Sequence, residues 1–231
     1  MKPIKLYEEY NKSMSSEDLD AIFYGNCTAE DQILAYKYKD KIRDWFIEQG
    51  YDKEFVKKAP KNSSDITKRD LEVMTSMMDA VTTEDMTFAR IVDDVSNMAQ
   101  IFLDYFGSKG IEETMGEFFR IDSQTESLLY YLKDKINRPR PYQLARAMGI
   151  EMYPLIKTDA MSAAYPSGHA LTAYTMSEYY ARKYPMYRGD LIMIGERIAD
   201  SRVKMGLHFP SDSEISQRIC SIIWKNSLID M

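Results

Sequence analysis

Two histidines occur in the 231 residues, and each stands among side chains suited to handling an oxyanion. The first closes the run Tyr165-Pro-Ser-Gly-His169 and is followed by Ala170. A helix opening at Ser167 turns free N–H groups and its positive dipole end toward an anion. Ser167 adds a hydroxyl donor, and Gly168 lets an oxyanion approach the backbone closely. The second stands in Ser201-Arg-Val-Lys-Met-Gly-Leu-His208-Phe-Pro-Ser-Asp212. Gly206 and Pro210 constrain His208 in a turn between two helices. Asp212, four residues on, can hold one ring nitrogen so that the other points outward unprotonated. A histidine held in that way is a nucleophile.

A third segment, Lys133-Asp-Lys-Ile-Asn-Arg-Pro-Arg140-Pro141, places Lys133 and Arg140 seven residues apart, roughly two helical turns, with proline fixing the exit path. With Arg202 this makes three cations for one phosphate. Arginine matches phosphate oxygens in pairs, while lysine supplies a compact charge. Asp93 and Asp94 do not read as metal ligands: adjacent helix positions face different directions and no histidine lies near them in the sequence, so both are expected to be solvated surface carboxylates.

Taken together, Lys133-X6-Arg140-Pro141, Pro166-Ser-Gly-His169 and Ser201-Arg202-X5-His208-X3-Asp212 give eleven fixed positions in order. Over about residues 120 to 225 the chain resembles the type 2 phosphatidic acid phosphatase superfamily, which includes class A bacterial acid phosphatases, lipid phosphate phosphatases and vanadium haloperoxidases. The resemblance implies phosphate binding by Lys133, Arg140, Ser167, the Gly168 amide and Arg202. It further implies attack on phosphorus by His208, orientation by Asp212, and protonation of the leaving oxygen by His169, which then activates water. No metal or other cofactor is expected, and vanadate is expected to bind the phosphate pocket as an inhibitor. A bell-shaped pH profile on the acid side of neutral follows, because His169 must start protonated and His208 neutral. The family pattern gives the site to Arg140, so Arg138 is assigned to the pocket rim or the surface. Asp122 and Glu126 stay open as acidic neighbours of the leaving group, since some members carry an acidic residue upstream of the basic motif.

Within the superfamily, the lipid phosphatases span the membrane several times, whereas no run here approaches the roughly 18 apolar residues a span needs. The nearest group is therefore the soluble, class A acid-phosphatase-like one, although its usual Gly-Ser-Tyr-Pro-Ser-Gly-His-Thr form is replaced here by Ala163-Ala-Tyr-Pro-Ser-Gly-His-Ala170. Hydrolysis of phosphomonoesters, with diphosphates admitted, is the expected activity. The alternatives are a vanadium-dependent haloperoxidase, in which vanadate would be the cofactor, and a phosphate-ligand-binding protein without turnover.

The elements that must position these residues are helices. Apolar residues recur at helical spacing nearly throughout and no run alternates like a strand, so the fold class is all-α, with the helical bundle of the acid phosphatase and haloperoxidase type implied by the resemblance. Helices are expected from Thr28 to Gln49, from Ser64 or Asp65 to Ala80, and from Thr83 through Phe88, Ile91, Val95, Met98, Phe102 and Phe106. Further ones are expected over 111–120, 123–136, 167–184, 189–204 and 212–227, with Pro139 and Pro141 stopping regular helix. The methionines from Met74 to Met78 read as core filling. One domain over 1–231 is expected, its residues 1–110 packing as extra helices on catalytic helices in 111–231. A formal net charge of −6 argues against nucleic-acid binding. Cys27 and Cys220 read as reduced thiols. Acidic residues near the N-terminus, where a secretory signal needs an apolar core, point to the cytoplasm. The expected partner is a small phosphate ester and not a membrane, and the oligomeric state stays open, although family members often pair.

Overall fold

The computed structural model describes residues 14–25, 28–36, 39–158 and 162–230. Ser15 caps α1 (Ser16–Asp20), its hydroxyl accepting from the Asp18 amide while the Asp18 carboxylate accepts from the Ser15 amide. Thr28 and Asp31 do the same for α2 (Ala29–Tyr36). The apolar stripe predicts one helix from Thr28 to Gln49, yet the chain makes two. Asp40 accepts from the Arg43 amide at 2.7 Å and starts α3 (Lys41–Glu48). Tyr38, also in that stripe, lies outside the described residues. Gly50, at φ 75°, turns the chain into α4 (Tyr51–Lys58), a helix not among those expected from the sequence.

Ser64 caps α5 (Asp65–Asp79) as predicted. Thr82 and Asp85 form a capping box at α6 (Thr83–Ile91). Here the long helix predicted from Thr83 divides. The Asp94 carboxylate accepts from the Ser96 amide at 2.7 Å and opens α7 (Val95–Ser108). The break leaves Ile91 exposed instead of core-facing, while Met98, Phe102 and Phe106 are buried.

Thr114 caps α8 (Met115–Ile136), which runs unbroken through the two segments expected there and ends at Asn137 in the left-handed region, φ 49°. Pro141 opens a helix where it was expected to stop one. In α9 (Pro141–Ala147) it takes the first position, where its missing N–H would have had no partner. The last three helices, α10 (Gly168–Lys183), α11 (Arg188–Lys204) and α12 (Pro210–Lys225), lie within two residues of the predicted bounds. Among the described residues every regular element is a helix.

Helix α8 is the hub, with α2, α3, α4, α7 and α10 packed on it. Phe102, Phe106, Phe118, Leu132, Tyr180 and Ile219 are fully buried in the core around it. Burial of an aromatic or aliphatic side chain of this kind is worth about 1.5–3 kcal/mol. Helices α10 and α11 approach so closely that a Cβ on Gly195 would fall 2.2 Å from Ser177 Oγ and 3.0 Å from the Ala173 carbonyl oxygen. Behind α11 and α12, α5 contributes Leu71, Met74 and Met78 to a second core with Val203 and Phe209, so Met74 and Met78 are core residues as predicted. No helix among the described residues is long and apolar enough to cross a membrane. Cys220 is buried, which pushes its thiol up to about 12; Cys27 lies outside the described residues.

Candidate active site

The three motif segments meet because of how their helices end and begin. Helix α11 closes with Gly206 at φ 74°: the Gly206 amide donates to the Val203 carbonyl at 2.9 Å and the Leu207 amide to the Arg202 carbonyl at 3.0 Å. That reversal brings His208 back beside Arg202. Asp212 sits in the first turn of α12, where its Oδ2 accepts from the Phe209 amide at 2.9 Å and lies 3.3 Å from His208 Nδ1. Ser167 joins α10 to α12, its amide donating to the Asp212 carbonyl at 3.1 Å and its carbonyl accepting from the Ser216 hydroxyl at 2.9 Å. His169 thereby enters the same space as His208.

Lys133, Arg140, Gly168, His169, Arg202 and His208 line one cavity of about 350 Å³. Asp212 and Ser167 are buried and do not line it. Asp212 stands behind His208, and the Ser167 hydroxyl accepts from the Ala170 amide at 3.4 Å as the cap of α10. Arg202 is 1% exposed; its Nη2 is 2.5 Å from Asp93 Oδ1, while Nε and Nη1 have no partner among the described residues. Buried donors without acceptors are costly, so two such N–H groups on a guanidinium at a cavity wall mark a place for an anion. Lys133 Nζ donates to the Ala163 carbonyl. Arg140 donates from Nε to the Ser162 carbonyl at 2.8 Å, and its Nη1 lies 2.9 Å from both the Leu207 carbonyl and His208 Nε2.

These contacts fix both imidazoles. A guanidinium only donates, so His208 Nε2 presents its lone pair and the ring proton sits on Nδ1, toward Asp212. His169 Nε2 is 3.0 Å from the Asp93 carbonyl oxygen, which only accepts, so Nε2 carries the proton there. Burial, and then the charges of Arg140, Lys133 and Arg202, hold His208 well below the usual histidine range. Burial followed by Arg202 lowers His169 to about 3. Burial pushes the Asp212 carboxyl up to about 6, against the pull of Arg138.

Two expectations from the sequence are corrected, and one left open is settled. Arg138 is not at the rim: it is 2% exposed, and its Nη1 donates to Asp212 Oδ1 and Ser211 Oγ, both at 2.7 Å. Its Nη2 reaches Thr67 Oγ1 at 3.1 Å and Asp70 Oδ2 at 3.3 Å. It anchors Asp212 from beneath, and nothing in the local sequence distinguishes it from a surface charge. Asp93 is not a solvated carboxylate. It pairs with Arg202 and offers its carbonyl to His169, because the break before α7 turns it inward; Asp94 is the cap that makes the break. The pattern Asp94-Val-Ser96 is a cap signal that could have exposed this. Asp122 and Glu126, left open, both line the cavity.

Two histidines, one backed by a carboxylate, thus share a helical cavity walled by a lysine and two arginines, an arrangement with the charge to hold an oxyanion. Residues 124–226 match the PAP2 superfamily model, and this stretch of the chain is a PAP2 superfamily domain. No curated protein matches the chain. Among solved structures, the chain is similar to a transmembrane PAP2-type phosphatidylglycerolphosphate phosphatase from Bacillus subtilis, at 17% identity and a TM-score of 0.34, covering 86% of this chain and 92% of that one. A likeness that loose transfers no substrate.

Proposed function

We infer that the protein is a metal-independent phosphatase that hydrolyses phosphomonoesters through a phosphohistidine on His208. The observation that carries this is the His208 ring, its Nδ1 backed by Asp212 and its Nε2 lone pair held at a cavity lined by Lys133, Arg140 and Arg202. In the ligand-free site the Arg140 guanidinium covers Nε2. A phosphate oxygen takes over that guanidinium and leaves phosphorus in its place. Nε2 then attacks, the bond from phosphorus to the leaving oxygen breaks, and His169 gives that oxygen its proton. The cations and the Gly168 amide hold the equatorial charge without reorganising. Water next loses a proton to His169 and attacks phosphorus, and the P–N bond breaks to release phosphate.

The charge of the substrate also solves a difficulty of the free site. His169 must carry a proton to act as an acid, yet Arg202 and burial keep it neutral. A dianion among the cations offsets them and favours the charged imidazole, so the acid is armed by the substrate it serves. The test is phosphate release from an aryl phosphate in EDTA. Turnover that survives EDTA, stops with vanadate and falls at least about a thousandfold in His208→Ala is expected. Undiminished activity in that variant would refute the assignment.

A further inference from the structure

The same cavity has a second half that the phosphate chemistry does not use. It is lined by Asp122 and Glu126 from α8 and by Glu30 and Asp31 from the first turn of α2. Asp122 is 8% exposed; its Oδ1 accepts from the Thr172 hydroxyl at 2.6 Å, and its Oδ2 has no hydrogen-bond partner among the described residues. Glu126 makes no hydrogen bond or ion pair among those residues. Among the described residues Asp31 accepts only from the Thr28 amide, at 3.4 Å. Burial raises both Asp122 and Glu126, and Asp122 raises Glu126 further. Nearby Tyr130 is pushed up to about 12 by burial and then by Asp31, Glu126 and Asp122. Four acidic residues therefore line one cavity, and no ion pair joins any of them to a cation of the described residues.

Position along the helices sets the scale. Glu126 and Lys133 are seven residues apart on α8, roughly 10 Å of rise, so the acidic residues and the lysine are spaced along one face of that helix within the cavity. Thr172, which holds Asp122, is three residues beyond His169 on α10, roughly 4.5 Å of rise. The acidic wall thus begins about one helical turn past the group that protonates the leaving oxygen. An ester bearing more phosphate or carboxylate on its alcohol would bring negative charge against this wall.

We propose that the substrate is a phosphate monoester whose alcohol carries a protonated amine a few bonds from the ester oxygen, with the ammonium held by Asp122, Glu126 and Asp31. This rests on the phosphatase reading for turnover, though not for binding. Two matched pairs test it, all in EDTA so that no divalent cation occupies the carboxylates. The first is hydrolysis of 2-aminoethyl phosphate against propyl phosphate, equal in size and different by one charge. The second is calorimetric binding of 2-aminoethylphosphonate against propylphosphonate, which needs no turnover. Wild-type protein should prefer the amine in both pairs by at least about tenfold, and Glu126→Gln and Asp31→Asn should each reduce the ratio to about threefold or less. A wild-type ratio within twofold of one, or a preference that survives both substitutions, overturns the proposal. If no ester is hydrolysed, the aryl phosphate included, the phosphatase reading fails on its own and the phosphonate ratio still decides this one. If neither phosphonate binds, both are overturned.

Discussion

Replacing Arg138 by methionine removes the cation beneath the His208–Asp212 pair while roughly keeping its length. In the wild type the guanidinium is 2.7 Å from Asp212 and 3.3 Å from Asp70, with all three side chains 5% exposed or less. Its central carbon also stands 3.9 Å from the centre of the Phe209 ring. The substitution leaves two buried carboxyl groups without their cation, a loss of about 3–5 kcal/mol. A surface charge, which the local sequence suggests, would lose about 0–1 kcal/mol. For a chain of this size each kcal/mol moves the midpoint by about 2–4 °C, so Tm should fall by about 6–20 °C. Thermal unfolding followed by far-UV circular dichroism measures it. Adding Asp70→Asn to Arg138→Met should restore part of the loss, because the second carboxylate no longer needs a partner, with a coupling of about 0.5–3 kcal/mol. A single variant that melts within about 2 °C of wild type would refute the buried pairing.

With only two histidines in the chain, ring titrations followed by NMR assign cleanly. In the free protein neither imidazole should charge between pH 5 and 8, since burial and the neighbouring cations lower both; His169 should gain its proton only as pH falls toward about 3. Arg202→Met removes a cation and should move His169 upward, and saturating vanadate should do the same to wild type; two titrations near the ordinary histidine value in free wild type would contradict the site's electrostatics. Gly195→Ala should destabilise the fold by about 1–3 kcal/mol, because the new methyl meets the Ala173 carbonyl as well as the Ser177 hydroxyl. Denaturant melts would show it, and an unchanged midpoint would mean that α10 and α11 are less closely seated.

What could be read from the sequence was local. Ser167, His169, Arg202, His208 and Asp212 are legible because each depends on a helix end a few residues away, and the cap at Ser167 and the glycine at 206 are written beside them. Arg138 was not, since its partners Thr67, Asp70 and Asp212 lie about seventy residues off in either direction. The breaks before α3 and α7 were hidden for another reason. The 3-4 stripe resumes in phase after each, so Ile42 and Met98 are buried as a continuous helix would have them, while Asp40 and Asp94 quietly start new ones.

Asp93, Thr67 and Asp70 all fall outside residues 124–226. The stretch that similarity marks out and the set of atoms that makes the site are therefore different objects. A fragment cut at the edges of the matched stretch would keep every motif residue, yet strand Arg202 without its carboxylate, His169 without its acceptor and Arg138 with one carboxylate of two. Kinship is recorded in one part of this chain, and competence is distributed over more of it.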